Sequence, residues 1–321
     1  MSSPAEPGRL SLRLSVTDRC QLRCQYCMPP AGVALGPRQE ILSYEEISLL
    51  VACLQREMGV AKVRLTGGEP LVRPQLERLV ARLAGLGVPE LTLTTNGLLL
   101  ASQAAALRRA GLQRVNISLD SLRPAVFRQL SGGGDLQPVL AGIAAAHAHG
   151  LTPVKLNTVV VRGVNDTEVA TLVDFGLEHD CEVRFIELMP IGPAAAWGAE
   201  RLVAATEIRA ALIERFALAP ATTAPDSAAR RFTVADAKGR RGTVGFIASC
   251  SDPFCAHCAR LRVTADGRLI GCLAQDGGVS VRDLVRQADW SAVVDAARQV
   301  LGTKRRDGAF AQDLAMVSIG G

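Results

Sequence analysis

From Leu10 to Leu188 the chain alternates short β-like runs with helical stretches, and this alternation restricts its possible folds more than any other feature. The strand candidates are residues 12–16, 62–66, 90–94, 114–119, 153–161 and 182–188. Helical spacing of apolar residues marks 44–58, 73–84, 102–110, a bipartite stretch through 125–149, and 168–179. Ser43 stands where an N-cap would start the first of these helices. Repeated strand–helix units bury their faces as a parallel sheet with right-handed crossovers. Six strands are too few to close an eight-stranded barrel, so the expected fold is α/β, a partial (βα)6 barrel. Complete barrels gather their active residues at the C-terminal ends of the strands. Polar and glycine-rich segments follow four of the six candidates: Thr17 with a cysteine loop, Thr66-Gly67-Gly68-Glu69-Pro70, Thr94-Thr95-Asn96-Gly97, and Ser118 to Ser121.

The cysteine loop reads Cys20-x3-Cys24-x2-Cys27, with Tyr26 directly before the last cysteine. Three thiolates are one fewer than normally hold a cubane iron–sulfur cluster, which leaves one iron open to a ligand. A structural zinc site would close its shell instead. A second set, Cys255-x2-Cys258 with Cys272, suits zinc and a cluster equally on spacing alone. Cys250 and His257 are the available fourth ligands for zinc, His257 poorly placed inside the short loop. Cys53 and Cys181 sit alone in apolar segments and read as core thiols. Nine cysteines, an odd number, argue for metal ligation over a disulfide framework.

At 321 residues the chain can bury a full core, and its 48% hydrophobic and 21% charged residues describe a soluble globular protein. Residues 1–8 are small and polar, without the basic start and apolar run of a signal peptide, so a cytoplasmic protein is expected. No run is long enough to span a bilayer. A net charge of +5 admits an anionic substrate but is too diffuse for nucleic acid, and 4% aromatics cannot build a base-stacking platform. Beyond Met189 the pattern changes. Residues 191–199 read as a linker and 219–229 as a loose loop, followed by strand candidates 232–234, 242–247 and 261–264. Asp266-Gly267 marks a hairpin turn, and helices resume at 281–287 and 291–301. The expected organisation is a flexible 1–9, a partial barrel over 10–190, and a smaller α+β region over 191–321.

The cysteine triplet and the Gly67-Gly68-Glu69-Pro70 element after the second strand resemble the radical S-adenosylmethionine (SAM) superfamily. Cys255-x2-Cys258-x-Arg260-x-Arg262, with Gly271-Cys272 and the terminal Gly320-Gly321, is similar to the GTP 3′,8-cyclase family, also called molybdenum cofactor biosynthesis protein A. Matching segments run through residues 12–20, 63–70, 93–97, 116–120 and 184–189, covering nearly the whole chain. The tail lacks the basic residue that some members place before the terminal apolar residue.

The resemblance implies two [4Fe–4S] clusters, held by Cys20, Cys24 and Cys27 and by Cys255, Cys258 and Cys272. SAM would meet Tyr26, Gly68, Ser118 and Met189. GTP would meet Arg13, Arg64, Thr94, Lys155, Arg260 and Arg262, with Lys62 and Arg184 as further candidates. Charges inside strand segments need partners, since burying an unpaired one is costly. Arginine suits phosphate through its planar fork. In such enzymes the first cluster cleaves SAM, the 5′-deoxyadenosyl radical takes the ribose H3′, and C3′ joins C8 of a guanine held at the second cluster. Arg184, Gly320 and Gly321 would serve catalysis, the glycines threading a gap too narrow for a side chain. Family membership further implies a homodimer, a reductase or a flavodoxin- or ferredoxin-type electron donor, and coupling to cyclic pyranopterin monophosphate synthase.

Overall fold

The structure, a computed structural model, describes residues 10–224, 227–255, 258–274, 277–304 and 316–319. Six strands follow one another in the sheet: β1 (Leu10–Ser15), β2 (Val60–Thr66), β3 (Glu90–Thr95), β4 (Arg114–Ser118), β5 (Val154–Val160) and β6 (Cys181–Glu187). Each pairs in parallel with the next. The crossovers are α1 (Tyr44–Met58), α2 (Leu76–Gly85), α3 (Leu100–Arg109), the pair α4 (Pro124–Ser131) and α5 (Leu136–Ala148), and α6 (Val169–Glu178). Ser43 starts α1 through a reciprocal capping box with Glu46, and Gly59 ends it in the left-handed conformation at φ 66°.

Among the described residues the C-terminal region builds no sheet of its own. Its strands are β7 (Ala217–Pro220), β8 (Arg230–Ala235), β9 (Arg241–Ile247), β10 (Arg260–Val263), β11 (Arg268–Ile270) and β12 (Val279–Ser280). They extend the parallel sheet at both edges, in the order β12-β11-β10-β1-β2-β3-β4-β5-β6-β9-β8-β7. β10 runs parallel to β1 and β9 parallel to β6, while β7–β8–β9 and β10–β11–β12 are antiparallel meanders. Gly267, at φ 83°, makes the turn between β10 and β11 expected from Asp266-Gly267. Helices α7 (Ala205–Ile213), α8 (Arg282–Arg286) and α9 (Trp290–Gly302) complete the region. The stretch expected as a linker holds a helical turn, Gly192–Trp197.

Strand alternation separates two environments. Leu10, Leu12 and Leu14 of β1 are buried in the apolar core, which also takes in Ile47, Leu50 and Leu54 of α1. Ser11 and Arg13, on the opposite face, line a cavity inside the barrel. β5 does the same: Val154, Leu156 and Val160 join the core, whereas Lys155, Asn157 and Val159 line the cavity. Among the described residues, no helix is long and apolar enough to cross a membrane.

Candidate active site

The first cysteine triplet lies on the loop that leaves β1, gripped from two sides. On one side Gly68 and Glu69 donate their amides to the carbonyls of Thr17 (2.8 Å) and Arg19 (2.7 Å). On the other, at the end of α4, the amides of Arg23 and Gln25 donate to Ser131 (3.0 Å) and Leu130 (2.9 Å). The two glycines of the Gly67-Gly68-Glu69-Pro70 element are needed for this grip. A Cβ on Gly67 would stand 2.7 Å from the Thr17 carbonyl oxygen, and one on Gly68 only 2.3 Å from that of Arg19 and 3.1 Å from Cβ of Cys20. Gly132, at φ 69°, presses on Arg23 with the same tightness from the far side. A Gly68→Ala variant is therefore expected to keep the barrel fold but bind less iron, because the loop must move away from β2. Wild-type iron content after reconstitution, with unchanged circular dichroism, would refute this.

Cys27 and Met28 turn back onto the Cys24 carbonyl, each at 2.9 Å. Burial pushes the Cys24 thiol well up, and Cys27, Asp120 and Cys20 add to the shift. Burial likewise raises Cys20. Thiols so crowded are poor bare anions and suit a metal, which replaces the protons. Tyr26 donates its hydroxyl to Asp120 at 2.6 Å. Asp120 also accepts the Val159 amide, yet burial holds its carboxyl up at about 6. Glu69 accepts from the Thr95 hydroxyl (2.7 Å) and from the amides of Leu71 (3.0 Å) and Asn96 (2.7 Å). Burial still raises it to about 7. A carboxylate offers about four acceptor positions, so this one chiefly ties the ends of β2 and β3 together.

The second triplet lies at the opposite end of the strands. Ser11 pairs with Arg260 and donates its amide to Ala259, so Cys258 sits below the start of β1. Cys272 follows β11, at the same level. Cys258 donates its amide to the Cys255 carbonyl at 3.2 Å. Its sulfur accepts from Arg260 Nε and Lys304 Nζ, both at 3.2 Å. Burial pushes the Cys258 thiol up, but Arg260 and Lys304 outweigh it and bring the group down to about 6. Cys250, a competing ligand on spacing, is not on the cavity wall; its thiol donates to the Leu188 carbonyl at 3.4 Å. His257 lies outside the described residues. Among the described residues, no three His, Cys, Asp or Glu side chains converge as ligands of a single ion. The donor sets match a cluster that takes one thiolate per iron.

Both triplets open onto one cavity of about 740 Å³, which also takes in Tyr26, Gly68, Ser118 and Met189. The described cations singled out above line the same space: Arg13, Lys62, Arg64, Lys155, Arg184, Arg260 and Arg262, together with Thr94. They occupy the middle and N-terminal parts of the strands, so the C-terminal-end expectation describes only the first triplet and its neighbours. The cavity runs the length of the barrel. Arg64 is half-buried, and burial with Arg13, Arg114, Arg184 and Arg260 presses its ionisation well down. Its Nε is buried with no partner. Burial lowers Lys155 to about 7; Arg184, Arg114 and Arg231 add to the shift and Glu182 opposes it. So many cations on one wall suit an anionic ligand.

Spacing alone did not single out Arg114, Glu182, Arg231 or Lys304, all on the cavity wall. Glu182 carried a faint signal, two residues before Arg184 and hence on the same strand face. Beside Met189, buried Ile191 and Ile270 receive Ile319 from the short turn Met316–Ile319, with Leu273 and Met316 packed around them. Gly320 and Gly321 lie outside the described residues.

Residues 14–176 match the model of the Radical SAM superfamily, and 181–310 match that of Molybdenum Cofactor Synthesis C. A GTP 3′,8-cyclase of Moorella thermoacetica is 43% identical over 97% of this chain and 97% of its own. One from Geobacter sulfurreducens is 44% identical over 97% and 96%, and one from Petrotoga mobilis 46% over 85% and 83%. Among solved structures, Streptococcus suis SuiB bound to the precursor peptide SuiA superposes with a TM-score of 0.65 at 13% identity, covering 92% of this chain and 67% of that one. Native anSMEcpe with bound AdoMet gives 0.55 at 14%, over 91% and 83%; these two likenesses concern the fold. From its paired cysteine triplets to its relatives along nearly the whole length, this chain belongs to the GTP 3′,8-cyclase family of the radical SAM superfamily.

Proposed function

We propose that the chain converts GTP to 3′,8-cyclo-7,8-dihydro-GTP, the first step toward molybdopterin, in the cytoplasm. The observation that carries this reading is the joining of two open cysteine triplets by one cation-lined cavity. Cys20, Cys24 and Cys27 would hold one [4Fe–4S] cluster, and Cys255, Cys258 and Cys272 the other. SAM would sit beside Tyr26, Gly68, Ser118 and Met189, where the first cluster would supply the electron for its reductive cleavage. The rest falls to the protein. Arg13, Arg64, Lys155, Arg260 and Arg262 bind and orient the polyanion, Thr94 adds a hydroxyl, and Arg184 and Lys62 complete the cationic wall. Holding the reacting carbons together and excluding water is how such a site contributes. The terminal Gly320-Gly321 would serve the same chemistry, as the family resemblance implies.

A homodimer, a reductase or flavodoxin- or ferredoxin-type donor, and a cyclic pyranopterin monophosphate synthase downstream belong to the same reading. The test is anaerobic reconstitution with SAM and a strong reductant, following 5′-deoxyadenosine and nucleotide mass. GTP-dependent deoxyadenosine with a cyclised product is expected. SAM cleavage indifferent to GTP would overturn the substrate assignment. Removal of the last two residues is expected to leave iron content intact and abolish the product; undiminished turnover would remove the tail from the mechanism.

A further inference from the structure

Three cations converge on one buried carboxylate at the N-terminal end of β6. Glu182 Oε1 lies 2.6 Å from Arg184 Nε, and its Oε2 lies 3.2 Å from Arg231 and 3.8 Å from Lys155. Arg231 belongs to β8, two strands away. It reaches Glu182 because Gly245 of β9 stands between them in register, opposite both Arg231 and Arg184. A Cβ on Gly245 would meet Ala229 at 3.2 Å, Arg184 Cγ at 3.3 Å and Glu182 at 3.8 Å. A side chain longer than hydrogen would thus fill the gap that the guanidinium crosses.

Glu182 does not need Arg231. Arg184 already binds it closely, and despite burial the surrounding cations hold its carboxyl below the ordinary value. The neighbouring carboxylate, Glu90, is shared in the same way by Lys62 and Arg114. Among the described residues the Glu182 network sets three cations, Lys155, Arg184 and Arg231, against one carboxylate. Arg231 Nε is itself buried with no hydrogen-bond partner. Groups left so cost free energy until a ligand satisfies them.

We propose that Arg231 is a phosphate ligand and that Glu182 is an internal counter-ion, holding Arg231, Arg184 and Lys155 together until the terminal phosphate of the nucleotide takes over. The inference rests on the GTP reading above. The ribose must face the first triplet, at the C-terminal ends of the strands, so the phosphate chain extends toward their N-terminal ends. Lys155 and Glu182 sit there, each second in its strand. The terminal phosphate is the group that reaches this cluster, and guanidinium binds it through a two-point fork. Glu182 then favours nucleotides charged enough to compete with it, which makes the pair a device for selecting triphosphate over monophosphate.

The test is calorimetric binding of GTP and GMP to the reconstituted full chain. Arg231→Gln is expected to weaken GTP about tenfold, about 1.4 kcal/mol, and to leave GMP nearly unchanged. Arg231→Lys, which keeps the charge and loses the fork, falls between. Glu182→Gln is expected to tighten GTP a few-fold, because a competing negative charge is gone. A GTP-to-GMP ratio unchanged in Arg231→Gln would overturn the proposal, as would equal loss of both ligands, which would make Arg231 a structural tie of β8. If Arg231→Gln fails to fold, a wild-type ratio in Arg231→Lys overturns it equally. Wild-type protein that binds GMP and GTP alike refutes the selection while leaving nucleotide binding intact. Wild-type protein that binds neither overturns the GTP reading and this inference with it.

Discussion

Cys24→Ala is expected to abolish SAM cleavage altogether, whereas Cys258→Ala is expected to retain SAM cleavage and make no cyclised nucleotide. The two triplets are separated by the length of the barrel strands. Cys24 sits at the C-terminal end, in a loop clasped by the amides of Gly68 and Glu69 and by the end of α4. Cys258 sits below the start of β1, where Arg260 and Lys304 converge on its sulfur. The two sets lie at opposite ends of the strands, so loss of one ligand is expected to leave the other set assembled. A cluster reduced to two protein ligands loses the shell that holds it, and each variant should bind roughly half the wild-type iron. The separate measurements are iron per chain, 5′-deoxyadenosine, and nucleotide mass. Cyclised product from Cys258→Ala at the wild-type rate would remove the second triplet from the chemistry. Deoxyadenosine from Cys24→Ala would do the same for the first.

Local chemistry made parts of this fold legible. Helix α1 announced itself through Ser43 and Glu46 as well as its apolar spacing, and the structure keeps the expected bounds Tyr44–Met58. The six barrel strands and the turn at Gly267 were equally plain. Helix α7 was not: its start is tied by Glu187, whose carboxylate accepts the Ala205 amide from a distant strand. Strand β7, Ala217–Pro220, is mostly exposed and alanine-rich, and exists only because β8 pairs with it. The union of β9 with β6 and of β10 with β1 is a matter of long-range register. Nothing local in the chain encodes it.

The candidate site divides along the same line. Cysteines and glycines at fixed spacings stood out, although Gly67 and Gly68 prove to make room for the cysteine loop itself, beyond any ligand. Arg231 and Lys304 are single charges among 36 lysines and arginines, and only tertiary folding brings them to the cavity. Glu182 gains its meaning from three partners on three different strands.

Nucleotide binding is expected to take up a proton and to weaken as pH rises above 7, through Lys155. In the free protein this ammonium sits at about 7, lowered first by burial and then by Arg184, with Arg114 and Arg231 adding to the effect and Glu182 opposing it. An arriving triphosphate supplies negative charge to all of these cations and moves Lys155 back toward its ordinary value. Between the free and bound values the complex holds a proton that the free protein lacks. Affinity is therefore complete below pH 7 and falls through the window above it, by up to about tenfold per pH unit for one proton. Folding stability has the opposite slope. The unfolded chain binds the proton more tightly than the folded one, so stability rises with pH between about 7 and the ordinary lysine value. Titrations near about pH 8, in buffers of different ionisation enthalpy, read the uptake directly; there the phosphates of GTP are already ionised and contribute little. Lys155→Arg should keep binding and lose the proton uptake, because guanidinium stays charged across the range. A dissociation constant that is flat from about pH 7 to about pH 9, with no dependence on buffer, would place Lys155 outside the phosphate site.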